Sequence, residues 1–260
     1  MIHKQYNGVQ WLEFELLADH PIAHGCFMRH GGTSKGQLTS LNLGKRVGDQ
    51  PENVQANFRK VAQALSNGQK RVFEDIVSAR ICHGADVYEI KDRTQELPIS
   101  DILITQQLDC AIAVTHADCQ AAIFYDPIHH AMANVHCGWR GNVCNVYRAT
   151  VEAMRATYHT NPADLLVAIS PSLGPNHAEF LNYRSELPET FWDFQIKENY
   201  VDLWAISRWQ LEQAGVLPHH IQIAQIDTYG HPDYFSHRYA MHQNNLPCGR
   251  QATVGALLKK

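Results

Sequence analysis

The sequence predicts an α+β fold in which mixed β-sheets are layered with α-helices. Three apolar segments in the middle of the chain, 111–114, 121–125 and 131–135, have the length and composition of buried strands. Asp126-Pro127 is a turn signal between the second and third segments, so these two strands are predicted to form a hairpin. Because predicted strands outnumber predicted helices, layered sheets and helices are favoured over a doubly wound parallel sheet.

The first part of the chain is predicted to contain two strands and a glycine-rich loop. Apolar residues partly alternate over 9–17, which indicates an early strand, and a second apolar segment follows at 22–28. The loop 29–36 comes next and contains three glycines.

A helix is predicted to begin near Asp49, because Glu52 follows three residues later and Pro51 lies in the first turn. Gly68 is predicted to end this helix. Its apolar positions share one face: Val54, Phe58, Val61, Ala62 and Leu65. The later predicted elements are a helix beginning near Gly141 or Asn142, a strand over 165–169, a helix over about 201–214 that Gly215 ends, and a strand over 221–226.

Length and composition indicate one globular domain. The 260 residues contain no repeat, low-complexity tract or Gly/Ser linker, so 1–260 is predicted to be a single catalytic domain. Hydrophobic residues make up 45% and charged residues 18%, as in ordinary globular proteins. The formal net charge of -4, without a basic stripe, argues against a nucleic-acid partner. The sequence leaves the oligomeric state open.

The termini and the cysteines suggest a cytoplasmic protein. The N-terminus has no apolar core of signal-peptide length, and no segment approaches the ~18 apolar residues of a membrane span, so no membrane partner is expected. The seven cysteines are odd in number and scattered, unlike a secreted disulfide framework. They are therefore predicted to be reduced.

Two histidines and one cysteine stand at the ends of predicted strands and form a candidate metal site. His83 precedes Cys119 by 36 residues, and His136 follows it by 17. Two imidazoles and a thiolate are three ligands suited to zinc, and they leave a fourth position for water or substrate. Each residue alone also fits a structural role in the core. A third interpretation is that the Cys119 thiolate is a nucleophile paired with His136. A thiolate bound to zinc is a poorer nucleophile, so the same residues would not readily serve both roles.

Two glycine-containing segments are candidate anion sites. Gly138-Trp139-Arg140-Gly141 lies at a predicted strand-to-helix junction, where backbone N–H groups and the Arg140 guanidinium can bind an anion. The alternative is a turn with a buried Trp139 and a solvated Arg140. The Gly31-Gly32 loop, flanked by Arg29 and Lys35, can cradle a phosphate or carboxylate, or can be only a turn.

Taken together, these motifs resemble the laccase-domain family, also called the multicopper polyphenol oxidase or peptidoglycan-editing-factor family. The resemblance extends from about Arg29 to about Ala252. The segments that carry it are Arg29-His30-Gly31-Gly32-Thr33-Ser34, Ser40-Leu41-Asn42-Leu43-Gly44 with Val47-Gly48-Asp49, His83-Gly84-Ala85-Asp86-Val87, Ala117-Asp118-Cys119, His136-Cys137-Gly138-Trp139-Arg140-Gly141, Leu173-Gly174-Pro175 and Gly249-Arg250-Gln251-Ala252.

The resemblance implies a ligand set, a fold and a group of residues near the substrate. The family's His, Cys and His metal ligands fall on His83, Cys119 and His136, and its fold is similar to that of a bacterial deamidase toxin of the cytotoxic necrotizing factor type. The other implied site residues are Arg29 and Asn42, near the substrate, and Arg140 and Arg250, which support the site or bind anions. Asp118 is a candidate proton shuttle.

The implied activity is that of a zinc-dependent purine nucleoside phosphorylase with adenosine deaminase activity, acting on a nucleoside and phosphate. One alternative is editing of a cell-wall precursor through amide cleavage at the same site. Another is copper-dependent phenol oxidation, which is less favoured because laccase-type copper sites use His-x-His pairs, and none of the sixteen histidines forms one.

The chain departs from the family pattern at four places. Ile81-Cys82 stand where Gln-Val is common, and Cys137 follows the third ligand in place of Ala. Asn176-His177 replace a common Cys pair after Gly-Pro, and Asp227-Thr228-Tyr229-Gly230 replace a Cys-Thr-Tyr-Cys segment. The loss of the Gln puts the choice of substrate in question.

Overall fold

A computed structural model describes residues 1–67, 73, 75–92 and 98–260. Its strands are β1 (Ile2–Tyr6), β2 (Val9–Glu13), β3 (Ile22–Phe27), β4 (Ile76–Val77), β5 (Val87–Glu89), β6 (Ile102–Thr105), β7 (Ala111–His116), β8 (Gln120–Asp126), β9 (Ala131–Cys137), β10 (Leu166–Ile169), β11 (Gln195–Lys197), β12 (Tyr200–Val201), β13 (Ile221–Ile223) and β14 (Gln251–Leu257). Its helices are α1 (Pro51–Ser66), α2 (Trp139–Val143), α3 (Val146–Tyr158), α4 (Tyr183–Glu186), α5 (Leu203–Gln213) and α6 (His237–His242).

The strands form two mixed six-stranded sheets and a two-stranded ribbon. The first sheet has the order β1-β2-β3-β14-β7-β4, and the second has the order β13-β10-β8-β9-β6-β5. β11 and β12 form the ribbon. β8 and β9 are the predicted antiparallel hairpin, with Asp126 opposite Ala131 at the turn. The predicted α+β class with mixed sheets is therefore confirmed, whereas the similarity to a deamidase toxin stays a prediction.

The two sheets pack face to face, and helices cover their outer faces. In β8, Ile123 and Tyr125 belong to the apolar cluster between the sheets, which also includes Ile112 of the first sheet. The alternate residue Phe124 packs instead with α3. α1 covers the other face of the first sheet. This alternation follows from the two-residue period of a strand, which sends successive side chains to opposite faces.

The predicted first helix is present, but its N-cap differs from the prediction. α1 begins at Pro51, and Gln50 is its N-cap residue without a side-chain hydrogen bond. Asp49 instead accepts hydrogen bonds from the Gln50 N–H and from Asn53 Nδ2. The capping box of Asp49 and Glu52 was therefore wrong, because Asp49 lies one residue too early. Gly68 lies outside the described residues.

The helical region after β9 begins earlier than predicted and is interrupted. α2 starts at Trp139 rather than at Gly141 or Asn142. The helical conformation is interrupted at Asn145, which has a left-handed conformation with φ 53° and caps α3. The regular apolar pattern of α3 gave no indication of this break. Within α2, the Asn142 side chain is buried and donates hydrogen bonds to Ser207 and Gln210 of α5.

The remaining predicted elements are present with shifted ends. The first strand stops at Glu13, before a 3₁₀ turn at Glu15–Leu17. The predicted strand 221–226 ends at Ile223, and Gly215 follows α5 with φ +95°. No disulfide joins any of the seven cysteines in the structure, and their reduced state in the native protein stays a prediction. None of the helices in the described part of the chain has the length and apolar character needed to span a bilayer.

Candidate metal centre

Cys119 and His136 lie at neighbouring ends of two paired strands. β8 begins at Gln120 and β9 ends at Cys137, and these two residues are register partners in the antiparallel pair. Cys119 directly precedes β8 and therefore lies beside the end of β9 that carries His136. The order of the strands, rather than the sequence spacing, brings these two residues together.

Asp101 brings His83 to the same place. This residue directly precedes β6, which pairs with β9, and its carbonyl oxygen accepts the His136 N–H at 2.8 Å. Its carboxylate accepts backbone N–H groups of Cys82, His83 and Gly84 at 3.0, 2.9 and 3.0 Å. The loop that carries His83 is therefore folded around one carboxylate next to His136.

The three predicted ligands form one compact group. The candidate donor atoms of His83, Cys119 and His136 all lie within 4.8 Å of one another. His136 Nδ1 donates to Asp101 Oδ1 at 2.9 Å, so its Nε2 is the nitrogen left for a metal. Among the residues that the structure describes, no other cluster of three His, Cys, Asp or Glu side chains has this spacing. Two imidazoles and one thiolate are a donor set that fits a catalytic zinc site.

Charges within the group favour the form of Cys119 that binds metal. Burial disfavours its thiolate, but the neighbouring His136 and His83 outweigh burial and lower the pKa of Cys119 to about 6. Burial likewise disfavours the His136 imidazolium, yet Cys119 and Asp101 raise the pKa of His136 to about 9. Asp101 is itself partly desolvated, and hydrogen bonds from His136 and Cys82 hold its pKa well below the usual range. Without metal, the group therefore favours a thiolate–imidazolium pair.

Gly138 has no side chain, and the side chains of Cys119 and His83 occupy the space beside it. A Cβ at this position would lie 3.0 Å from Cys119 Sγ and 3.2 Å from His83 Cδ2. The first distance is too short for an ordinary carbon–sulfur contact, so a side chain here would push the ligands apart. The close packing of Cys119 and His83 therefore explains why a glycine occupies position 138.

Asp118 has both carboxylate oxygens occupied. Oδ1 accepts the Thr228 hydroxyl at 2.7 Å, and Oδ2 accepts the Arg238 backbone N–H at 2.6 Å. Its own carbonyl accepts the Leu173 N–H at 2.8 Å. The residue predicted as a proton shuttle thus ties the Cys119 loop to two other segments.

Asn42 is fully buried and its amide is fully used. Its Oδ1 accepts N–H groups of Gly44 and Arg250, both at 2.9 Å. Its Nδ2 donates to Asp49 Oδ2 at 2.8 Å and to the Gly44 carbonyl at 3.3 Å. These bonds position the backbone of Arg250, while the Arg250 guanidinium donates to the Cys248 and Gly249 carbonyls.

Arg29 lines a cavity that the three metal-ligand residues do not line. Its guanidinium lies over the ring of Phe235, 4.4 Å from the centroid. The cavity has a volume of about 180 Å³, and Tyr239, Gln243 and Cys248 also line it. Arg29 and Cys119 nevertheless follow strands that end on the same side of the first sheet, because β3 and β7 both end beside the start of β14.

Arg140 is exposed at the start of α2. Its guanidinium lies 4.5 Å from the centre of the Trp139 ring, and Trp139 packs edge-on against Phe180. Within the described part of the chain, no carboxylate forms an ion pair with Arg140, so its charge is available to an anion.

Sequence reasoning missed two groups near this centre. Asp101 gave no signal, because a single acidic residue before a short apolar strand is common. His177 and Asp227 were noted only as departures from a family pattern, and they form a hydrogen bond of 2.6 Å. Pairing between residues so far apart in the chain is visible only in three dimensions.

The described residues define an α+β protein in which His83, Cys119 and His136 form a group whose donor atoms have a spacing that suits a metal ion. Residues 23–257 match the family described as multi-copper polyphenol oxidoreductase laccase, and the chain belongs to this family. The identification on the sequence motifs is thereby confirmed.

Relatives with established names cover most of the chain. A purine nucleoside phosphorylase of Bacteroides thetaiotaomicron is 28% identical over 243 residues, which are 86% of this chain and 88% of the relative. The purine nucleoside phosphorylase YlmD of Geobacillus stearothermophilus is 30% identical over 233 residues, which are 82% of this chain and 84% of the relative. The crystal structure of YlmD from this organism has a TM-score of 0.84 and 27% identity, and covers 98% of both chains.

Proposed function

We propose that the protein is a zinc-dependent purine nucleoside phosphorylase that also deaminates adenosine. The observation that carries this proposal is the group His83, Cys119 and His136, whose donor atoms lie within 4.8 Å of one another. Two of the relatives that match most of the chain are named purine nucleoside phosphorylases, which supports nucleoside and phosphate as substrates.

Zinc bound by these residues would supply a Lewis acid and lower the pKa of a coordinated water. The protein's own residues prepare the site for it. Asp101 fixes the ring of His136 and the backbone around His83, so the ligands need little reorganisation. His136 and His83 stabilise the thiolate of Cys119.

Phosphorolysis additionally needs a cation for the phosphate. Arg140 is exposed and is fixed by its contact with Trp139, so it is our candidate for this role. Arg250 directly precedes β14, and its backbone N–H donates to the Asn42 side chain. Deamination of adenosine uses water rather than phosphate and does not need the phosphate-binding cation.

The donor set favours zinc chemistry over copper-dependent phenol oxidation. Laccase-type oxidation requires several copper sites rich in histidine. All sixteen histidines lie in the described residues, yet only His83 and His136 belong to a three-ligand group. The proposal therefore rests on one catalytic metal per chain.

The test combines metal analysis with product analysis. Purified protein should contain about one zinc per chain. It should convert inosine and phosphate to hypoxanthine and ribose 1-phosphate, and adenosine to inosine. Cys119→Ala should lose both metal and activity, whereas Cys144→Ala, an exposed thiol outside the group, should retain both. Full zinc occupancy without turnover of any nucleoside would contradict the proposal and favour a cell-wall substrate.

A further inference from the structure

The imidazole of His177 is held in one orientation by Asp227. His177 Nδ1 lies 2.6 Å from Asp227 Oδ2, and because a carboxylate only accepts, Nδ1 carries a proton. The other carboxylate oxygen accepts the N–H groups of Gly174 at 2.8 Å and Tyr229 at 3.0 Å. A Cβ on Gly174 would lie 2.5 Å from Asp227 Oδ2, so only glycine leaves room for this carboxylate.

One face of the His177 ring is covered, and its second nitrogen is open. The ring stacks on Tyr229 with centroids 4.0 Å apart and an interplanar angle of 12°. The Tyr229 hydroxyl in turn lies 2.9 Å from His242 Nδ1. The His177 side chain is 40% exposed, and among the described residues no group forms a hydrogen bond with Nε2. A ligand can therefore reach Nε2 of an already oriented ring.

The segments that carry this pair also hold the Cys119 loop. Thr228, the neighbour of Asp227, donates its hydroxyl to Asp118, the neighbour of Cys119, at 2.7 Å. From His177 to Cys119 the path consists of two hydrogen bonds and two steps between adjacent Cα atoms of ~3.8 Å each. These hydrogen bonds hold the segments of His177 and Cys119 together.

The pair supplies a proton-transfer group that Asp118 does not. Both oxygens of Asp118 already accept hydrogen bonds from the protein, from Thr228 and Arg238. His177 combines an open Nε2 with a carboxylate on Nδ1, which is the arrangement of an oriented general acid or base.

We propose that His177, oriented by Asp227, is a catalytic general acid that protonates the leaving purine base. This inference rests on the proposed phosphorylase activity. A phosphate oxygen forms a bond to C1′ as the C1′–N9 bond breaks and its electron pair moves onto the base. The base takes the Nε2 proton at N7, and the neutral imidazole then regains a proton from solvent.

The charged and aromatic neighbours of His177 hold its side chain and backbone in place. Its titratable and charged neighbours are the Asp227 carboxylate, the stacked Tyr229 phenol, and Arg238, whose guanidinium donates to the His177 and Glu179 carbonyls. Asp227→Asn should lower kcat for inosine phosphorolysis, because the amide no longer provides the carboxylate oxygen that holds the ring with Nε2 open.

The decisive experiment compares two nucleosides whose bases differ in their need for a proton. Inosine needs protonation at N7, whereas the base of 7-methylguanosine is already cationic and leaves without it. His177→Gln should lower kcat for inosine by about 10²–10⁴-fold, the usual contribution of a general acid, and should lower kcat for 7-methylguanosine much less. His219→Gln, an exposed histidine in another part of the chain, should leave both values unchanged.

Zinc content and melting temperature show whether the variants are folded, and Asp227→Asn provides a second test if His177→Gln is not. Equal losses for both nucleosides in a folded, zinc-loaded variant would overturn the role of His177 alone. Inactivity of the zinc-loaded wild type towards both nucleosides would overturn the phosphorylase function and this inference with it.

Discussion

His136 and Asp101 form a buried hydrogen bond that orients the candidate metal centre. Their Nδ1 and Oδ1 atoms are 2.9 Å apart, and the two side chains are 3% and 0% exposed. This bond uses Nδ1 of His136 and so leaves Nε2 for a metal. The same carboxylate holds the backbone of His83, so one acidic residue fixes the geometry of two ligands.

Asp101→Asn should weaken metal binding without removing a ligand. The amide keeps the size of the side chain but replaces one accepting oxygen with a donor and removes the negative charge. Loss of a carboxylate that orients a metal-binding histidine typically costs 10–100-fold in affinity. Competition with a chelating dye measures this change. Asp86→Asn, an exposed aspartate in the same loop region, is the matched control. Equal affinities in the two variants would contradict the role given to Asp101.

Gly138→Ala should also weaken metal binding, through sterics alone. The new methyl group would lie 3.0 Å from Cys119 Sγ and 3.2 Å from His83 Cδ2, so the ligands must separate. Gly141→Ala is the control, because its Cβ would make an ordinary contact of 3.4 Å with Cys137 Sγ and it lies within α2. Zinc titrations of both proteins make the comparison. The prediction fails if the two variants bind zinc alike.

Arg140→Ala should impair phosphorolysis more than deamination. Only phosphorolysis uses the anion that we assign to Arg140, and a hydrogen bond to a charged group is worth about 1.5–3 kcal/mol. The KM for phosphate should therefore rise by about ten- to a hundredfold. Arg148→Ala, which removes an exposed arginine paired with Glu152, should change neither reaction. Equal losses in both reactions would instead make Arg140 a structural part of the turn.

His116 should make the metal-free protein less stable in acid. Burial, helped by the nearby His136, lowers the pKa of His116 to about 3, so the folded state holds it neutral. The unfolded chain takes up this proton below pH 6.5, the ordinary histidine value. Its contribution to the free energy of unfolding is complete above that pH and declines as pH falls towards 3, by about 1.4 kcal/mol per pH unit.

Denaturant unfolding of chelator-treated protein at several pH values measures this decline. His116→Gln should reduce the slope by one proton, whereas His3→Gln, at an exposed position, should leave it unchanged. An unchanged slope in His116→Gln would show that another group takes up the proton.

The apolar periodicity of the sequence predicted those strands and helices that are long and regularly patterned. β7, β8 and β9 lie where apolar segments predicted them, because buried strands need continuous apolar residues. Short strands such as β4 and β5 have no comparable pattern, since their two or three residues are fixed by pairing with neighbours. The N-cap at Gln50 was missed because local motifs allow several helix starts.

The α+β class, the family and the three candidate ligands could be predicted from residue types and apolar periods, which are local properties of the chain. Three relationships became visible only in the fold: Asp101 orients two of the candidate ligands, both oxygens of Asp118 accept hydrogen bonds from Thr228 and Arg238, and His177 is paired with Asp227. These contacts join residues far apart in sequence, and sheet pairing, rather than spacing, determines which of them become neighbours.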